Sequence, residues 1–179
     1  MVEFCKKRQQ RDSLYAFGEG DTECAFLIYL KNLYSRDKNI SIKIKDLHGG
    51  SIKDMVEKAI RINLHDNRDK LFVILDVEPV KGIVIDDEVS QQAKENNLEI
   101  IDFKPCVESL FLLILGKVKD SILFMSSEQC KKEFEKKYLD AHKKLNFLEY
   151  EKIFPKDLLE QKRKEITELD TIIKYMENK

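Results

Sequence analysis

The chain lacks an excess of basic charge, a long apolar stretch, cysteines at zinc-site spacing and a phosphate-loop ending, and each absence closes off a class of protein. Lys and Arg number 32 against 33 Asp and Glu, so the formal net charge is -1. No global positive field draws in a nucleic acid; such a partner has to be held by local patches, by a metal ion or by another subunit. The longest apolar run, residues 110–115, is too short to span a bilayer. Residues 1–12 are polar and basic with no long apolar stretch after them, which predicts no secretory leader and a cytoplasmic protein with no membrane partner. Cys5, Cys24, Cys106 and Cys130 form no C-x-x-C pair and no Cys/His cluster, which predicts free thiols in a reducing compartment. The stretch Gly18-Glu19-Gly20-Asp21-Thr22 lacks the Gly-Lys-Ser/Thr ending of a Walker loop, so no intrinsic nucleotide hydrolysis is expected.

What is present is an alternation. At 179 residues and 42% hydrophobic content the chain is long enough for one ordinary core without staples. The 36% charged fraction goes with a heavily solvated surface, because the apolar residues are clustered and periodic. Residues 14–17 read as a first strand and 23–35 as a helix, with Thr22 or Asp21 as its cap. Residues 40–46 alternate apolar and polar, as a half-buried strand does. Ser51 is the expected N-cap of a helix over 52–63. The unbroken apolar run 71–75 suits the middle of a parallel sheet covered on both faces. Residues 87–97 are a polar helix or loop, 98–103 a fourth strand, and Pro105 in a first turn starts an apolar helix. From 127 on the chain is lysine-rich and helical, ending in one amphipathic helix over 156–176. The pattern predicts a doubly wound, mostly parallel α/β sheet with flanking helices over residues 13–126. Before it lies a polar lead-in, 1–12, and after it a helical C-terminal tail, 127–179, packed on or beside the sheet.

In open α/β sheets the ligand site lies beyond the carboxyl ends of the strands. The first strand runs into Glu19 and Glu23, the third into Asp76 and Glu78, the fourth through Asp102 to Glu108. Acids thus arrive at one edge from three strands. Asp76 and Glu78 are two apart and point the same way if the backbone stays extended. The glycines beside Glu19 permit a tight turn that aims its carboxylate into the crevice. Such a set is tolerated when a divalent cation neutralises it, and oxygen donors suit Mg²⁺ or Mn²⁺. The competing explanation is capping and turn chemistry: Glu23 and Glu108 fall in first helical turns, where the helix dipole favours acids anyway. Glu19, Asp76 and Glu78 are harder to account for that way. A shared ion requires Glu19 and Asp76 within about 10 Å of each other.

Other residues carry less. Lys81 and Lys104 lie close to the acids in sequence and are placed to meet a phosphate, with surface exposure as the plainer reading. The clusters Lys6, Lys7, Arg8, Arg11 and Lys131, Lys132, Lys136, Lys137 are candidate patches or solvated faces. His48, His65 and His142 share no ligand spacing, and Cys106 reads as a structural thiol.

The segment Phe17-Gly18-Glu19-Gly20-Asp21-Thr22-Glu23 resembles the opening motif of the RloB family of restriction-linked proteins, within the wider Toprim-like group that includes the overcoming-lysogenisation-defect nucleases. In the Toprim pattern a glutamate follows the first strand and Asp-x-Asp follows a later one. Glu19 matches the first, and Asp76-Val77-Glu78 stands at the second with glutamate in its last place. Gly49-Gly50-Ser51 and the run from Pro105-Cys106-Val107-Glu108 into the apolar helix are similar to later landmarks, with Val107 replacing an aromatic residue. The resemblance covers residues 14–116. It implies a Toprim-like fold and Mg²⁺-dependent cleavage of DNA or RNA. It further implies a partner ATPase and a place in a bacterial defence system. On the enzyme reading Glu19, Asp76 and Glu78 would be catalytic, joined by Lys104 on the ground of its closeness to the acids, and Glu19, Glu23, Asp76, Glu78 and Glu108 would hold the metal. The alternative is an inactive Toprim-like subunit that binds the ATPase. A receiver-like phospho-acceptor fits less well, since Gly20 separates Glu19 from Asp21. The oligomeric state is left open.

Overall fold

The computed structural model describes residues 12–139, 143 and 146–179. Cys5, His142 and the cluster Lys6, Lys7, Arg8, Arg11 lie outside the described residues. Four strands, β1 (Asp12–Gly18), β2 (Ile40–Asp46), β3 (Lys70–Asp76) and β4 (Leu98–Phe103), form one sheet in the order β2-β1-β3-β4. Every pairing is parallel. The fold is therefore α/β with an all-parallel sheet, as the alternation predicts. β1 pairs with both β2 and β3, so the strand order reverses there and a crevice opens between their carboxyl ends.

Side-chain alternation builds two cores. Leu14, Ala16, Phe72, Ile74, Ile101 and Phe103 point to one face. Tyr15, Phe17, Leu71, Val73, Leu75 and Leu98 point to the other. The second face is covered by α2 (Ile52–Asp66) and α3 (Asp87–Glu95), through Met55, Val56, Ala59, Val89 and Ala93. The first face carries α1 (Asp21–Tyr34), α4 (Val107–Ile114), α5 (Lys119–Leu123) and α6 (Ser127–Lys137), then α7 (Phe147–Ile153), α8 (Lys156–Lys162) and α9 (Thr167–Glu177). A 3₁₀ turn, Pro79–Lys81, precedes α3.

The C-terminal helices belong to the first core and do not sit beside it. Phe26 of α1 meets Phe111 of α4 at 4.9 Å between ring centroids, and Phe111 meets Phe134 of α6 at 5.1 Å. Tyr150 and Phe154 stand 5.6 and 5.4 Å from Phe111. All five are wholly buried. The expected single helix over 156–176 is instead α8 and α9. No proline or glycine breaks it. Arg163 folds the two together, donating to Asp170 at 2.8 Å and Glu177 at 3.1 Å, while Ile166 turns into the core. Pro105 lies just outside α4, whose N-cap is Cys106, rather than in its first turn. Gly20, not Thr22 or Asp21, caps α1, and its N–H donates to the Glu23 carboxylate at 3.0 Å. Ser51 caps α2 as expected, accepting from the Asp54 N–H at 3.1 Å.

Truncating Phe154 to alanine empties a large aromatic site shared by sheet-side and tail-side helices. We expect Phe154→Ala to cost about 3–5 kcal/mol. Urea unfolding followed by far-ultraviolet dichroism and by tyrosine fluorescence should still give one coincident transition. Two separated transitions would mean that the tail is a separable unit.

Candidate functional site

The carboxyl ends of β1 and β3 set the site. Gly18 closes β1 against the start of α1. A Cβ there would stand 2.9 Å from both Cys24 Sγ and Glu23 Cβ, so only glycine allows this turn. Gly20 has no such constraint on space. The turn throws Glu19 across toward β3, where its Oε2 accepts the backbone N–H of Asp76 at 3.1 Å. Asp76 Oδ1 in turn accepts the Val107 N–H at 2.9 Å, at the start of α4. Glu19 and Asp76 are therefore neighbours, as a shared ion requires.

Two adjoining crevices, of about 460 and 450 Å³, open here. Glu19, Asp76 and Lys131 line both. Glu23, Glu108, Asp46 and His48 line the second, and Glu78 the first. Glu23 and Glu108 are buried despite their charge. Burial, and then the neighbouring Glu23 and Glu19, push the Asp76 carboxyl up to about 8, with Lys131 pulling the other way. Glu23 is raised too, by burial and then by Glu108 and Glu19, against the lowering effect of backbone hydrogen bonds. Desolvation works against the Lys131 charge, but Glu108, Asp76 and Glu23 outweigh it and raise its pKa.

Glu78 has a different setting. It lines the first crevice with Glu19 and Asp76, but its carboxylate has partners of its own. Its carboxylate accepts from the Ser127 hydroxyl at 2.8 Å and the Ser127 N–H at 3.3 Å, and lies 3.0 Å from Lys81 Nζ. Burial pushes its pKa up, but these partners outweigh it and hold the group below the usual carboxylate range. Lys81 thus serves Glu78. Lys104 pairs with Asp102 at 2.9 Å, and the two line other cavities, away from both acid-lined crevices. Their closeness in sequence to the strand ends does not bring them into the site, because the pair leans off β4, the outer strand. His48 is exposed and stands 3.1 Å from Asp46. Cys106 is buried, with its thiol 3.7 Å from the Ser127 carbonyl, as a structural thiol would be.

One residue of the crevices escapes the reading of the sequence, and another is read there only as one of a cluster of lysines. Asp46 ends β2 and lines the second crevice; asking of the second strand what was asked of the others would find it. Lys131 sits in a lysine-rich helix and has no local signal. It is brought to the acids because Cys130 and Phe134, on the same helix, are buried in the core.

The donor set consists of hard carboxylate oxygens, the chemistry that Mg²⁺ or Mn²⁺ prefers. Yet no three His, Cys, Asp or Glu side chains among the described residues stand close enough together to hold an ion as they are. A side-chain shift within the crevice would have to complete such a set.

Because folding raises the Asp76 pKa from 3.8 to about 8, the folded state binds that proton more tightly than the unfolded chain. Its contribution to stability is full below pH 3.8 and is lost as the pH rises through about 8. Asp76→Asn keeps the acceptor for Val107 and removes the charge. We expect the urea midpoint of this variant to fall less between pH 4 and 8, leaving it more stable at pH 8 by on the order of a few kcal/mol. A variant that tracks the wild type across this range would show that Asp76 titrates normally.

No family model matches this chain, and neither does any curated protein or solved structure, so the chemistry of the crevice rests on its own residues.

Proposed function

We propose that the crevice hydrolyses phosphodiesters of DNA or RNA with a divalent cation, Mg²⁺ or Mn²⁺, and that the chain is the nuclease subunit of an ATPase-linked defence system of the Toprim-like kind. The observation that carries this reading is the set Glu19, Glu23, Asp76 and Glu108, gathered at the point where the strand order reverses and met there by Lys131. Glu19 and Asp76 would hold the ion, with Glu23 and Glu108 behind them. Once bound, such an ion supplies Lewis-acid activation of the phosphate and a water of lowered pKa.

The chain's own groups divide the remaining work. Asp76 Oδ1 is occupied by the Val107 N–H, which leaves Oδ2 to meet a cation, and its raised pKa means that such a cation would compete with a proton. Glu19 is steadied by the Asp76 N–H. Lys131, at the mouth of both crevices, is the cation best placed to meet a phosphate oxygen. It takes the role that the sequence had offered to Lys104. Glu78 shapes the wall through Ser127 and Lys81.

The other reading is a Toprim-like interaction subunit without catalysis, bound to a partner ATPase. It is favoured by the lack of three assembled ligands among the described residues and by the commitment of Glu78 to Ser127. Calorimetric titration with Mn²⁺ separates the two. We expect the wild type to bind and Glu19→Ala and Asp76→Ala to lose binding at least tenfold, with Glu78→Ala affected less. Cleavage of labelled DNA and RNA should follow the same order. A folded wild type that binds no Mn²⁺, with or without an oligonucleotide present, would leave the interaction subunit as the answer.

A further inference from the structure

Next to the acids the first crevice changes character. Glu19 and Asp76 line it together with Ile83 and Val84, and Ile52, Met55 and Val89 are also among its lining. The last three are buried in the second core, whereas Ile83 is 43% exposed and Val84 50%. The exposed pair is held in place. The N–H groups of Lys81 and Ile83 donate to the Glu78 carbonyl at 2.9 and 3.2 Å, and Gly82 takes the left-handed conformation, φ 74°, that closes the turn. Lys53 bridges α2 to α3 through Glu88 at 2.6 Å and lines the same crevice. One space of about 460 Å³ is thus lined by charged groups and by aliphatic side chains on a hydrogen-bonded turn. That volume is of the size small-ligand sites have.

We propose that this crevice takes one unpaired nucleotide of the substrate strand, its phosphate at the Glu19–Asp76 end and its base against Ile83 and Val84; the assignment rests on the phosphodiesterase reading. A nucleotide has this polarity, an anionic phosphate joined through a sugar to a flat, largely apolar face. A paired base hides that face in its stack, whereas a single strand presents it, and contact through the face alone tolerates any sequence. The wall is a specificity device for strandedness.

The test measures fluorescence anisotropy of a short labelled strand on the full chain, with Ca²⁺ in place of Mg²⁺ to hold off cleavage. The strand is offered as DNA and as RNA, single, fully paired, and with abasic sites. The double variant Ile83→Ser/Val84→Ser is expected to weaken single-strand binding about tenfold and to leave Mn²⁺ binding unchanged. Val80→Ser, at a side chain 97% exposed and outside the crevice, should change neither. The abasic strand should bind the wild type as weakly as the intact strand binds the double variant. Equal affinity for intact and abasic strands, or tighter binding of duplex, overturns the subsite. Failure of the wild type to bind Mn²⁺ defeats the phosphodiesterase reading instead, and strand binding that depends on the base still upholds the subsite.

Discussion

Everything about this molecule's site follows from acids brought together where they repel. Two like charges about 5 Å apart at an effective dielectric of 20 repel by about 3 kcal/mol, a large share of the roughly 5–15 kcal/mol that holds a domain folded. Each acid is held by a different element, so the fold keeps their backbones close. Glu19 is set by the turn that Gly18 allows and by the Asp76 N–H. Asp76 is tied to the start of α4. Glu23 and Glu108 lie buried in first helical turns. The topology imposes this meeting, since parallel strands all end on the same edge.

That edge is held by the packing beneath it. α4 carries Val107, which anchors Asp76, and also Phe111, which joins α1, α6, Tyr150 and Phe154 in one aromatic cluster. α6 presents Lys131 to the acids because Cys130 and Phe134 are buried below it. The C-terminal helices therefore position Lys131, a cation that lines both crevices. A tail that looks like an accessory in the sequence is a component of the site.

The legibility of these features divides along physical lines. The strands, the two-faced core and the acids at the strand ends were readable, because apolar runs and period-2 or period-3.6 patterns are local signals. Ends shifted by a residue or two: β1 begins at Asp12 and α1 at Asp21. What failed was anything decided by distant packing. The break between α8 and α9 has no proline or glycine and depends on Arg163 reaching Asp170 and Glu177. Glu78 was read as the partner of Asp76, but the N-terminus of α6 claims it through Ser127. Lys104 lies near the acids in sequence but pairs with Asp102 instead, while Lys131 lies far away and arrives. Sequence distance is a poor guide to which lysine meets an acid cluster; the buried neighbours on its own helix are a better one.

The charge in the crevice can be balanced in three ways, and they compete. A proton on Asp76 lowers the repulsion at neutral pH, as its raised pKa records. Lys131 offers a fixed positive charge at the mouth. A divalent cation would supply two charges at once and would have to displace the proton to do so. Binding of such an ion would thereby be linked to proton release. In this arrangement the carboxyl oxygens settle on separate N–H groups rather than on a common point, as those of Asp76, Glu19 and Glu23 do. The resting arrangement and a metal-loaded one would then be two solutions to the same electrostatic constraint, differing by side-chain rotation and by a proton.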